Sequence, residues 1–487
     1  MHKRLSFLII FIAYFQAFTC NAEIELPDLG SPSDAYLSKM DEPAIGRAYF
    51  RNLRQQGQVV EDPLLSEYLQ NLGEKLSSKV QDGDFDFNYF FVPQTSINAF
   101  ALPGGYIGAN IGLCLNSDNE SQFASVLSHE ISHVTQRHIS RQVGDQVPNT
   151  IQGGLVLLGA VLLSAISGSS EILEAGTMLA PSIMQQGQID FTREMEIEAD
   201  SVGIKTLAMS GYDPFAMAEF FNKLSTGGDP RNAASIEFLR THPTSVNRSA
   251  AAKKQARRIE VKRINDSLVF ELSKARIRFL YTNSIEKSHA YFLSKTGRVN
   301  LPNKTLSNTD IGNLYGLALS SIELGNFEQA QLILDFFIKE YQEYNHFHLA
   351  YAKLLLAKNN RQQAITYLKS IISLSPRNIP LTLYYSEVEL NYGSAEISHQ
   401  TLLDLFNNVA PSPSQIKLIA RAANASGEYA ESFSYMGEYY LSIGMFDEAI
   451  EQIKIALTID SITNIQIAKF VARLSEIEEY LENTNNR

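Results

Sequence analysis

His129-Glu130-Ile131-Ser132-His133 places the residue types of metal-assisted hydrolysis at helical spacing. Residues four apart on a helix share a face, so the two imidazoles can grip one Zn2+ at roughly 2.0–2.1 Å from each nitrogen. Glu130 sits one residue on, where it reaches a water rather than the metal and can serve as general base. A catalytic zinc keeps one position open, so the chain must supply one more strong ligand. Without it, the same five residues would be two helix histidines beside a solvated glutamate.

The further ligand lies in Thr192-Arg193-Glu194-Met195-Glu196-Ile197-Glu198-Ala199-Asp200. Glu196 and Asp200 share a helix face, and Glu198 faces away. Glu196 is assigned to the metal. Asp200 is assigned to the far nitrogen of a ligating histidine, where it fixes the tautomer. An isolated E-x-x-x-D would be read as a charged, solvated face; downstream of H-E-x-x-H it reads as part of the site. His242, in Thr241-His242-Pro243, can reach the metal or a reaction intermediate, and Arg248 can stabilise an oxyanion or hold a substrate carbonyl. Either is also compatible with a loop-surface position. Between residues 23 and 288 the only other histidine is His138, five after His133 and on a different face of a continuous helix, which gives it a structural role.

Several elements must position these groups. Phe123, Val126 and Leu127 form an apolar spacing ahead of His129, with Glu120 and Ser121 at the helix start. Residues 63–80 read as an amphipathic helix with Leu64, Leu65, Tyr68, Leu69, Leu72 and Leu76 on one stripe. Residues 84–92 alternate as a strand, residues 99–102 form a second, and Gly104-Gly105 turn into a third at 106–109. The stretch Asn98, Ala99, Phe100, Ala101, followed by Pro103 and the glycines, suits a sheet edge that can hold a peptide substrate as an added strand. An ordinary hairpin is the alternative. Residues 151–166 are apolar but interrupted by Gly153, Gly154 and Gly159, and are short against the roughly 20 residues of a membrane-spanning helix. They read as a buried hairpin or a flap beside the site.

A chain of 487 residues implies two or three domains, and 45% hydrophobic with 19% charged residues is an ordinary globular composition. The net charge of -12 argues against nucleic acid as a partner. Residues 1–22 read as a cleavable signal peptide, with His2, Lys3 and Arg4 before an apolar run and Cys20-Asn21-Ala22 as the exit. A retained anchor and lipidation at Cys20 are the rivals, though Ala17-Phe18-Thr19 lacks the small residue lipidation expects. Cleavage after Ala22 leaves only Cys114, which excludes an intramolecular disulfide.

The second half repeats. Ala330 and Ala364 are 34 apart in matching contexts, and Pro376 follows Ala364 by twelve, which is the tetratricopeptide period and phase. Gly437, Tyr440 and Ala449 restore the pattern, Ser386 and Ser398 fit a degenerate copy, and Tyr281 and Ala290 a weaker one. Such helix pairs stack into a solenoid with a concave face. The fold expected is therefore mainly α with a small β-sheet: signal peptide 1–22, peptidase domain 23–265, helical connector and degenerate first repeat 266–307, and repeat domain 308–487.

H-E-x-x-H, R-x-x-E-x-E-A-D, N-A-F-A-L-P-G-G-Y and T-H-P-x-x-x-x-R in this order resemble the HtpX/CAAX-prenyl endopeptidase-like zinc peptidases, of gluzincin type. With the signal peptide and the repeats, the chain is similar to the periplasmic members that act in outer-membrane barrel assembly. The resemblance implies one Zn2+ per chain on His129, His133 and Glu196. It also implies that His242 can take the fourth position and restrain proteolysis. The partners it implies are stalled or unfolded barrel proteins, the barrel assembly machinery through the repeats, and the lipopolysaccharide translocon subunit. A position at the periplasmic side of the outer membrane follows. The competing reading is a repeat-based chaperone or adaptor with rare or vestigial proteolysis.

Overall fold

The computed structural model describes residues 39–80, 85–146, 191–226, 238, 242, 246–260, 267–297 and 306–485. The signal-peptide and 151–166 assignments lie outside the described residues. Among those residues no helix is long and apolar enough to cross a membrane.

Two helices, α1 (Glu42–Gln55) and α2 (Pro63–Ser77), precede a three-stranded sheet. The Asp62 side chain accepts the Leu65 N–H at 3.1 Å and caps α2, whose expected leucine stripe is buried throughout. Strands β1 (Asn88–Val92), β2 (Ala99–Leu102) and β3 (Tyr106–Asn110) lie in the order β1-β3-β2. β1 runs parallel to β3, and β2 is the antiparallel edge strand. β1 begins at Asn88 rather than at residue 84; Phe85 and Phe87 pack against the core ahead of it. Gly104 and Gly105 turn β2 into β3 with φ of 72° and 90°, a region that glycine enters without steric cost.

The short α3 (Ile111–Asn116) leads to α4 (Glu120–Thr135), whose N-cap is Asn119, one residue earlier than the expected start. All sixteen residues of α4 are buried. Its apolar stripe accounts for one side only. On the other, Ser125, Ser128 and Ser132 satisfy their hydroxyls on carbonyls three or four residues back, at 2.7, 2.9 and 2.7 Å. Small, self-satisfied side chains let neighbouring helices close in. After α4 come α5 (His138–Gln146), α6 (Arg193–Met209), α7 (Ala216–Thr226) and α8 (Val246–Ala256). α6 lies along α4 so closely that a Cβ on Gly203 would stand 3.1 Å from the Ser128 carbonyl oxygen and 3.2 Å from the His129 Cα.

Helix α9 (Leu268–Leu280) joins the two halves because it has two apolar faces. Phe270 and Ile277 complete the core around α2, α4 and the sheet, whereas Leu268, Leu272, Ala275 and Phe279 open the next core. α10 (Ile285–Thr296) follows and packs mainly on the next helix, where Phe292 meets Gly316; Ala290 is exposed, and Ser288 and Phe292 are the buried residues. The weak repeat register set on Tyr281 and Ala290 is therefore wrong, although both helices are present.

The array continues as α11 (Asn308–Glu323), α12 (Phe327–Glu340), α13 (Asn345–Ala357), α14 (Arg361–Leu374), α15 (Ile379–Tyr392) and α16 (Ala395–Leu405). It closes with α17 (Pro413–Ala425), α18 (Tyr429–Ile443), α19 (Phe446–Ala456) and α20 (Asn464–Asn485). Ala330, Ala364, Ser398 and Ala449 are fully buried where one helix crosses its partner. Ser398 Oγ donates to the Ser386 carbonyl at 2.7 Å, and Ser432 Oγ repeats the contact on Ala420 at 2.9 Å, a 34-residue step at both ends. The α17–α18 pair thus belongs to the same series.

The array packs on the first half. Leu64 of α2 is buried among Leu349, Ala352, Leu381, Tyr385 and Val388 of α13 and α15. Beside it, Arg276 of α9 donates to both oxygens of Asp62, from Nε at 2.7 Å and Nη2 at 2.6 Å, and from Nη1 to Tyr315 at 3.2 Å.

Candidate active site

Four side chains converge where α4 faces α6. His129 Nε2 and His133 Nε2 are 3.0 Å apart, one helical turn placing them side by side. α6 brings Glu196, with Oε1 3.4 Å from His133 Nε2 and Oε2 3.6 Å from His129 Nε2. His242 completes the set, its Nδ1 lying 3.3 Å from His129 Nε2 and 2.8 Å from Glu196 Oε1. All four are buried. A tetrahedral centre with arms of about 2.05 Å separates its donors by about 3.3 Å, so these spacings fit a single divalent metal held by three nitrogens and a carboxylate oxygen. Gly203 is part of the construction: a Cβ there would press on the Ser128 and His129 backbone, and a bulky side chain would strain the approach of the Glu196 helix to the histidine helix.

A layer of charge holds the donors. His129 Nδ1 lies 3.0 Å from Asp200 Oδ1, as the shared face of Glu196 and Asp200 led one to expect. Arg248 donates to Asp200 from Nε and Nη2, each at 2.8 Å, and its Nη1 lies 2.7 Å from Glu196 Oε2. From sequence, Arg248 can meet an oxyanion, a substrate carbonyl or the loop surface; what the structure places on its guanidinium is this pair of carboxylates, which makes it a brace for the ligand helix. Burial would push both carboxyl groups upward, but Arg248 and the histidines hold Asp200 and Glu196 below the usual carboxylate range.

Glu130 differs. It is fully buried, and no side chain among the described residues hydrogen-bonds its carboxylate, which the Ala101 backbone faces. His242 Nε2 stands 3.5 Å from its Oε1, and burial pushes its carboxyl upward. Next to it runs the edge strand β2. The Asn110 N–H donates to the Asn98 carbonyl at 3.0 Å, which sets the antiparallel alternation. Phe100 and Leu102 then continue the bonds to β3, while Ala99 and Ala101 turn their backbone groups to the outer edge. The Asn98 side chain is buried, and its Oδ1 has no partner among the described residues. Phe238 stacks on His242 with centroids 4.7 Å apart, and Phe191 stacks on His133 at 3.9 Å.

Sequence reasoning missed two functional neighbours. His138 Nδ1 lies 2.9 Å from His133 Nδ1, and His138 Nε2 lies 3.2 Å from Glu198 Oε2. The chain leaves α4 at Gln136, passes through Arg137 at φ 53°, and restarts as α5 at His138, which folds that ring back onto His133. Glu198 does face away from Glu196, but toward α5 and not toward water alone.

These donors and the buried glutamate define a metallopeptidase. Residues 63–256 match the model of peptidase family M48. The chain belongs to that family. It is 30% identical over 460 residues to a putative beta-barrel assembly-enhancing protease of Vibrio cholerae, covering 94% of this chain and 93% of that one. It is 30% identical over 458 residues to the beta-barrel assembly-enhancing protease of Escherichia coli, covering 94% and 92%. A mitochondrial metalloendopeptidase of Arabidopsis thaliana is 26% identical over 224 residues, 45% of this chain and 42% of its own length. The first two relatives therefore match through both halves of the chain.

Proposed function

We propose that this chain is a periplasmic, zinc-dependent endopeptidase that works in outer-membrane barrel assembly and cleaves barrel proteins that stall or misfold. The observation that carries the enzymatic part is the convergence of His129, His133, Glu196 and His242 beside a buried Glu130 whose carboxylate no side chain among the described residues hydrogen-bonds. The names of the full-length relatives support the barrel-assembly setting. The repeat array is the surface proposed to engage the assembly machinery and the lipopolysaccharide translocon subunit.

Zinc bound at these donors would supply a Lewis acid that polarises the scissile carbonyl and eases deprotonation of water. The chain's own residues do the rest. A substrate segment pairs with the outer edge of β2 through the backbone of Ala99 and Ala101, next to Asn98 and Phe100. Glu130 takes the water proton and returns it to the departing amide nitrogen. Asp200 keeps His129 in the tautomer that offers Nε2, and Arg248 holds Asp200 and Glu196 in place.

His242 gives the site a resting state. With His242 as a fourth donor beside His129, His133 and Glu196, a bound zinc would have no position left for water, and His242 would have to move away before cleavage. That closed arrangement also favours, as a second reading, an adaptor that works through its repeats while proteolysis is held back.

The test compares wild type, Glu130→Gln and His242→Ala for zinc content and for cleavage of casein or an unfolded barrel protein. Glu130→Gln should keep zinc and lose at least about 100-fold of the rate, and His242→Ala should raise basal cleavage. Full proteolysis by Glu130→Gln would sink the mechanism. Zinc without cleavage in every variant would move the function to the adaptor.

A further inference from the structure

We infer that His138 is a positioning residue for the ligand His133, that Glu198 backs it, and that Glu42 and Arg137 build the turn that delivers it. The inference rests on the metal site proposed above. His133 turns Nε2 toward the donor cluster. A neutral imidazole that offers one nitrogen as ligand carries its proton on the other. Here that is Nδ1, and what faces it at 2.9 Å is the Nδ1 of His138. His138 Nδ1 must then be the acceptor, so its own proton sits on Nε2, 3.2 Å from Glu198 Oε2. The direction is fixed along the whole line: His133 donates to His138, and His138 donates to Glu198. Arg141 Nη1 anchors the far end by donating to the same carboxylate oxygen at 2.9 Å.

The two ligating histidines of α4 are thereby served differently by the same helix. His129 reaches a carboxylate of α6 directly, through Asp200. His133 reaches one through an intervening imidazole. His133 and His138 are each fully buried, and their line comes to the surface only at Glu198 and Arg141.

The turn is not a passive linker. On an uninterrupted helix residue 138 would point well away from residue 133. Arg137 adopts a left-handed conformation, which a residue with a Cβ rarely enters unless its surroundings hold it there. Glu42, a buried carboxylate at the start of α1, holds it there, accepting from Arg137 Nε at 2.9 Å and Nη2 at 2.8 Å. The Ser140 hydroxyl, in the first turn of α5, donates to the same Glu42 oxygen. Glu42 thus ties the turn and the helix that follows it to a single point.

The experiment measures zinc affinity of the full chain by competition with a chromophoric chelator. His138→Leu removes the acceptor and should weaken zinc by about 10–100-fold. His138→Asn, whose amide oxygen falls where Nδ1 lay, should recover most of that loss. His138→Gln, whose oxygen lies farther out near the former Nε2, should not. Should the leucine variant fail to fold, the asparagine–glutamine pair carries the test alone. Glu42→Gln should lose affinity in the same direction. Wild-type affinity in His138→Leu, or equal affinity in the asparagine and glutamine variants, would overturn the assignment. Absence of zinc from the wild type would instead defeat the metal-site reading itself.

Discussion

The metal-donor region and the repeat array both bury polar side chains, but they satisfy them over very different distances along the chain. In the donor region partners are remote: His129 meets His242 across 113 residues, and Glu42 meets Arg137 across 95. In the array the recurrent contacts are local, as when Ser398 and Ser432 each bond a carbonyl twelve residues back. A site assembled from remote pieces depends on every helix being in register at once. An array assembled from neighbours tolerates a fault in one repeat.

The joint between the regions is where the largest effect is expected. Arg276 and Asp62 form a half-buried pair with two parallel hydrogen bonds, and Asp62 is also the cap of α2. Asp62→Ala leaves a half-buried guanidinium without its carboxylate and α2 without its cap, which together should cost about 2–4 kcal/mol. Urea unfolding should show the drop, and both halves should lose protection from hydrogen exchange together. Loss confined to the array would show that the two regions do not share their stability.

Overpacking one helix crossing in each region separates them directly. Gly203→Val drives a side chain into the backbone of Ser128 and His129, and Ala364→Val does the same between α13 and α14. Each should cost about 1–3 kcal/mol of stability. Only the first should also weaken zinc, because only there does the crossing set the separation of ligands. Equal losses of zinc affinity in a chelator competition would erase the contrast.

The same difference decides what was legible beforehand. His129, Glu130, His133, Glu196 and Asp200 follow from spacing on single helices, since i and i+4 fix a shared face whatever surrounds it. His138 does not, because its direction depends on the left-handed Arg137, whose conformation comes from Glu42 in another helix. Arg248 was noticed but aimed at substrate, since sequence cannot tell which carboxylates a guanidinium will meet. Gly203 carried no signal at all; only the approach of α6 to α4 makes it necessary. In the array, alanine at a 34-residue step was readable, and the α17–α18 pair was not, because alanine and serine are too common for Ala420 and Ser432 to stand out. Ala290 misled for the same reason.

The smallest effect concerns pH. His346 is buried in the array against the Tyr315 ring, with centroids 5.8 Å apart. Burial lowers its pKa to about 3, the Arg276 charge adds to the shift, and Asp62 opposes it. The unfolded chain would titrate it near 6.5. Between those values the unfolded state binds a proton that the folded state refuses, so this histidine's share of stability is complete above about pH 6.5 and declines as pH falls toward 3. His346→Phe, which keeps the ring and removes the titration, should gain on wild type as the medium is acidified from pH 7 to 5. Parallel stability curves for the two proteins across that range would mean that His346 takes up its proton at the same pH in the folded array as in the unfolded chain, with Asp62 offsetting both burial and Arg276. The joint would then be an acid-tolerant one.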